Sequence, residues 1–177
     1  MAEQLTASAC TKADGKADGI GGAAFLGACT SGVLAGSVLM RLRNASGQPL
    51  PRAWKVALRP HYGELVDQVK VHWGAVMLDS LPRVYTSNTV GQTFGNHVYI
   101  ENRCGDDESV LSTVAHELAH VAQARALGGL AGFAAMYCHD FAAAGFDYSD
   151  NALEREARAH AGQVMGALPA TASLDCR

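Results

Sequence analysis

"VAHELAHVAQ", residues 114–123, is the stretch around which the rest of the chain is read. Its spacing predicts a helix: Val110, Leu111, Val114, Leu118 and Val121 recur at helical intervals and make one apolar stripe. His116 and His120 stand four positions apart, so a helix stacks their imidazoles on one face, about 140° from that stripe. Two imidazole nitrogens at this spacing suit a single cation. Glu117 is turned about 100° from His116, too far to ligate beside the histidines and near enough to hydrogen-bond a water on the cation. A general base needs that position.

Outward from this helix the elements alternate in type. "SGQPLP" is a turn-rich entry, and Pro51 suits the first turn of a short helix carrying Trp54, Ala57 and Leu58. Val69, Val71 and Trp73 alternate with Lys70 and His72 as a half-buried strand. "QTFGNHVYIE" (Gln92 to Glu101) reads as a second strand, with Val98 and Ile100 on one face and His97 and Tyr99 on the other. Asp106 or Asp107 is the expected N-cap of the HExxH helix, and Gly128 fits its C′ position. "LAGFAAMYCHDFAAAG" is a second helix. "DNALEREARAHAGQVMGALP" is a third, expected to be capped by Asp150, stopped by Pro169 and buried along Leu153, Ala157, Ala161, Val164 and Leu168. The fold class expected is α+β: a small mixed or antiparallel sheet, then the active-site helix, then C-terminal helices.

Composition narrows the function. Fourteen basic and 17 acidic residues give a net charge of −3 with no block of like charge, so nucleic acid is not an expected partner. At 177 residues a core of ordinary size forms without a metal to hold it, so any metal serves function. Five cysteines, none in a C-x-x-C pair, exclude a zinc ribbon and leave any disulfide connectivity open. Residues 1–19 read as a flexible leader, 20–45 as a Gly/Ala-rich apolar segment and linker, 46–168 as the folded domain and 169–177 as a tail. Ile20 to Met40 carries no charge and is long enough to cross a bilayer, and Ala24, Ala28, Gly32 and Gly36 repeat every four residues. Few large side chains supply transfer energy, so a helix packed on the domain or a linker is favoured over membrane association. "MAEQ" lacks the basic start of a signal peptide.

A catalytic zinc also needs a third protein ligand and an open position. "NALEREARAH" offers Glu154 or Glu156, on opposite sides of the third helix's stripe, and spacing does not choose between them. Taken in order, "SGQPLP", "LRPHYGELVDQVKVHWGA", "TFGNHVYI", "VLSTVAHELAHVAQ" and "NALEREARAHA" resemble the metallopeptidase-like domain of bacterial toxins and effectors linked to extracellular contractile injection systems. The resemblance covers about residues 46–168. It implies a zincin-like, gluzincin-type fold, Zn2+ held by His116, His120 and Glu154, and Glu156 in a supporting or structural role. The family commonly has an acidic residue directly after the E-x-E-A block, where this chain has Arg158, so Asp147 and Asp150 become candidates for the carboxylate behind a zinc histidine.

The activity so implied is zinc-dependent hydrolysis of peptide bonds in a peptide or protein substrate, with Glu117 as general base. Tyr148 is the first candidate donor to the developing oxyanion, with His139 and His160 behind it. By analogy, the "TFGNHVYI" strand is the sheet edge on which an extended peptide is laid. The alternative is a catalytically idle or latent zinc-binding module for targeting to an injection apparatus or toxin. A cleft filled by residues 1–45, or latency through Cys10 or Cys29 as a zinc thiolate, would favour it. The implied setting is bacterial, with export or translocation lacking a standard signal peptide. His61 and His72 are not expected ligands, Trp54 and Trp73 are expected in the core, and Met136 and Met165 in packing.

Overall fold

A computed structural model describes residues 20–44, 46–78, 89–102 and 108–168. The described elements are α1 (Ile20–Arg43), α2 (Arg52–Tyr62), α3 (Leu65–Gln68), β1 (Lys70–Trp73), β2 (Gly91–Phe94), β3 (His97–Ile100), α4 (Glu108–Ala126), α5 (Leu130–Ala143) and α6 (Ala152–Ala167). The fold is α+β and mostly helical, around a mixed sheet of order β1-β3-β2. β1 runs parallel to β3 with Val71 opposite Val98, and β2 runs antiparallel to β3 with Thr93 opposite Val98.

The stretch expected as one strand over Gln92 to Glu101 is a hairpin. Gly95, at φ +65°, opens a two-residue turn with Asn96, and Phe94 pairs with His97. A glycine first in such a turn adopts positive φ without strain, which gives the chain reversal its sequence signature. β3 therefore lies in the middle of the sheet, and β2 alone forms the edge beside α4.

Both faces of the sheet are covered. Val71, Val98 and Ile100 pack with Trp54 and Leu58 of α2, Val114 and Leu118 of α4, and Ala157 and Val164 of α6 in the larger core. Trp54 is buried and Trp73 sits edge-on to it at 5.5 Å. Tyr99 and Phe94 face the other way, into a second cluster with Cys29, Val33 and Met40 of α1 and Ala134 and Cys138 of α5. His72, expected on an exposed side, is buried on this second face, stacked on Tyr99 at 4.3 Å between ring centroids.

That second face explains α1. By length and composition the helix could cross a membrane, yet in the fold a disulfide between Cys29 and Cys138 ties it to α5 across 109 residues of sequence. The bond settles which side turns inward: Cys29, Val33, Gly36, Ser37 and Met40 are buried, whereas Ala24 and Ala28 of the expected small-residue line are exposed. Cys10, Cys104 and Cys176 lie outside the described residues, as do Asp106 and Asp107.

Helix ends place the site. After α4, Gly129 N–H donates to Ala124 O at 2.7 Å and Gly128 N–H to Arg125 O at 3.1 Å, with both glycines at positive φ. This paired closure satisfies the last carbonyls and turns the chain sharply into α5. At the start of α6 the cap is Asn151 and not the expected Asp150. Asn151 Oδ1 accepts from Leu153 N–H at 3.0 Å while its Nδ2 donates to Tyr137 O at 3.1 Å. An aspartate has no N–H for the second bond. Asp150 is exposed, 4.0 Å from Arg155.

Candidate metal centre

α4 supplies His116 and His120 from its middle, and α6 supplies Glu154 from its first turn, where the unpaired N–H groups of a helix favour a carboxylate. Asn151 fixes that turn against α5, so the Glu154 carboxylate meets the two imidazoles. His116 Nε2 lies 3.0 Å from His120 Nε2 and 3.1 Å from Glu154 Oε2, and His120 Nε2 lies 3.4 Å from Glu154 Oε1. Two nitrogens and a carboxylate thus converge on one point, and the three residues could hold a metal ion. Glu154 Oε2 is buried and accepts no well-formed hydrogen bond, leaving a lone pair for a cation. Glu156 is not at this point.

The electrostatics express the same demand for positive charge. Burial opposes a charged His120, but the Glu154 and Glu117 carboxylates and Gln123 overcome it and raise the imidazole to about 9. Burial likewise works to raise Glu154, while His120 and His116 hold its carboxyl far below the usual range. A bound cation would take the place of the proton.

Gln123 fixes the direction of His120. Its Nε2 donates to Leu153 O at 3.0 Å and to Glu156 Oε2 at 2.9 Å, so its Oε1 must be the atom 2.8 Å from His120 Nδ1. The imidazole proton is then on Nδ1, and Nε2 presents its lone pair to the site. This corrects the expectation for Asp147 and Asp150: a glutamine one turn along α4 stands behind the histidine, itself anchored by Glu156. Asp147 accepts from Ser149 N–H instead. Tyr137 of α5 donates to Glu154 Oε1 at 2.8 Å and holds the carboxylate from its other side.

Glu117 is buried against β2. Thr93 Oγ1 lies 2.7 Å from Glu117 Oε2, and a Cβ on Gly91 would come within 2.6 Å of Oε1. The edge strand therefore needs a glycine there to admit the carboxylate. Burial raises the Glu117 carboxyl, against the pull of His116, His120 and Thr93. All three site residues of α4 are partly or wholly enclosed, so the helix is more buried than an amphipathic pattern with an open polar face suggests.

These groups form the floor of a cleft of about 440 Å3 bounded by β2, α4, α5, α6 and, through Val33, α1. Tyr148 lines it, half-buried, its hydroxyl pushed up by burial and by Glu154 and Glu117. His139 and His160 do not line it: His139 sits 3.3 Å from Asp140, and His160 packs edge-on to Tyr62. Cys29 is spent in the disulfide and ligates nothing. Sequence reasoning did not single out Gln123, Tyr137, Thr93 or Gly91. Gln123 alone carried a signal, as a polar residue three after His120 and seven after His116 on the same helical face.

Residues 49–128 match the family described as the eCIS core domain, which links this part of the chain to extracellular contractile injection systems. The match takes in His116, Glu117, His120 and Gln123 and ends before α5 and Glu154. No curated protein and no solved structure matches the chain.

Proposed function

With an eCIS core match over residues 49–128 and a three-donor set at the floor of a cleft as premises, we propose that the chain is a zinc-dependent endopeptidase of zincin type. The observation that carries this reading is the position of Glu117: a buried carboxylate beside the triad, held by Thr93 and facing the cleft. A structural cation site has no use for such a group. Two imidazole nitrogens and one carboxylate suit Zn2+, which when bound polarises a carbonyl and lowers the pKa of a water.

The chain's own residues do the remaining work. Glu117, its affinity for protons raised by burial, takes a proton at its carboxylate and returns it to the leaving amine. Thr93 keeps the carboxylate aimed, and the closeness of Gly91 leaves it no room to swing away. Tyr148, raised by burial and by Glu154 beside it, keeps its proton through the neutral range and can donate to the developing oxyanion, while Tyr137 holds Glu154 from its other side. The edge of β2 that lines the cleft is the place for an extended peptide. The family match supports a role beside an injection apparatus.

The test is cleavage of a denatured peptide library by zinc-loaded protein, read by mass spectrometry beside Glu117→Gln. The variant should keep the metal and lose all cleavage. Zinc bound at the triad with no cleavage by the wild type would replace this reading with an idle or latent binding module.

A further inference from the structure

Arg158 is the one lysine or arginine among the described residues lining the cleft. It leaves α6 one turn after Glu154, and its guanidinium lies over the Tyr148 ring at 5.6 Å. Nη2 donates to Ser149 O. Nη1 reaches only to 3.9 Å from Glu154 Oε2, outside hydrogen-bonding range, because that carboxylate is directed at His116, His120 and Tyr137. The head group is thus anchored at one nitrogen and stacked on a ring, and its other N–H groups have no acceptor among the described residues. Its side chain is 41% exposed.

A planar guanidinium held in place with donors to spare is a receptor for a carboxylate, which it can grip through two parallel bonds. The surrounding charge agrees. A divalent cation on the triad together with Arg158 outweighs Glu117 and Glu154, so the loaded cleft is net positive where the substrate lies. The two contacts through Glu154 Oε2 put Nη1 within about 7 Å of His116 Nε2, about two residues of extended peptide.

We propose that Arg158 determines substrate specificity by receiving a carboxylate within about two residues of the scissile bond. The carboxylate is an acidic side chain or a free C-terminus. This rests on the peptidase reading, so the deciding measurement is binding rather than turnover.

Zinc-loaded Glu117→Gln protein is titrated calorimetrically with peptide pairs that differ only by Glu or Gln at one position, each with a free or an amidated C-terminus. The acidic member should bind on the order of 10- to 100-fold more tightly, as a charge-assisted bidentate contact allows. Adding Arg158→Gln should bring the ratio close to one, Arg158→Lys should leave it intermediate, and Arg158→Glu should reverse it. The Glu/Gln pairs and the free/amidated pairs separate the two carboxylate sources. Equal affinity within every pair, or no measurable binding of any peptide, overturns the assignment. So does an equal loss for both members in Arg158→Gln, which would make the arginine only a brace for the Tyr148 turn. Discrimination by Arg158 with no cleavage by the zinc-loaded wild type would remove the peptidase reading and leave the carboxylate receptor standing.

Discussion

Replacing Gln123 with leucine tests whether the direction of His120 is set from behind. The side chain is fully buried and makes three hydrogen bonds, to His120 Nδ1, Leu153 O and Glu156 Oε2. Leucine nearly preserves the volume and deletes all three. Glu156 is half-buried and can turn to water, and Leu153 O keeps the Ala157 N–H of its own helix, but His120 Nδ1–H is left enclosed without a partner. At about 1–3 kcal/mol for an orphaned buried group the loss of stability is roughly 1–3 kcal/mol, which a domain of ordinary stability survives. Metal affinity should fall by roughly 10- to 100-fold, because the imidazole is no longer held with its Nε2 lone pair inward. Competition with a colorimetric chelator reads the affinity, and urea denaturation of the metal-free protein reads the stability. Gln123→Glu is the useful companion: its carboxylate still accepts from Nδ1–H but cannot donate to Leu153 O and faces Glu156. It should keep more of the affinity than of the stability. Unchanged metal affinity in Gln123→Leu, in a variant that remains folded, would refute the orienting role.

The remaining expectations concern other parts of the structure. Reduction of Cys29–Cys138, or Cys29→Ser, releases a crosslink spanning 109 residues, and a loss of about 2–4 kcal/mol should lower the calorimetric Tm by roughly 5–15 °C; an unchanged Tm contradicts the tie between α1 and α5. Gly91→Ala drives a methyl group to 2.6 Å from Glu117 Oε1, so peptide cleavage should fall by about 100-fold while zinc affinity, measured by the same chelator competition, changes little. Hydrogen bonds from Arg59 and Lys55 hold Asp67 below its ordinary value of 3.8. A depressed folded-state value stabilises above the unfolded value and is lost as pH falls through the folded one, so the difference in urea midpoint between wild type and Asp67→Asn should be present at pH 6 and shrink as pH falls below 3.8. Salt should shrink it, since the pair is exposed.

Much of the candidate site was legible because one helix carries it. A fixed 3.6-residue period turns the letters His116, Glu117 and His120 into directions in space, and the same rule contained Gln123 once a polar residue on that face was taken seriously. The Schellman closure after Ala126 was readable for a similar reason, since only glycine sits there without strain. Legibility failed where partners come from distant segments. Thr93 and Gly91 touch Glu117 only because the Gly95–Asn96 turn folds β2 back beside β3, and Tyr137 reaches Glu154 only because α5 returns along α6. Asn151 displaced Asp150 as the cap because Tyr137 O offers its amide a second bond, and the local sequence contains no trace of that carbonyl.

By itself, then, the sequence determined the local terms: the α+β order of elements, the helix presenting two imidazoles to one point, and the stripe that buries its opposite side. Glu154 and Glu156 remained equal by spacing. Tertiary packing alone turned Glu154 to the histidines and Glu156 to Gln123, and it alone made α1 a wall of the second core through Cys29–Cys138. Backbone periodicity acts between residues a turn apart and is written in the chain. The choice among donors is made by contacts between segments tens of residues apart, whose energies exist only once the helices have docked.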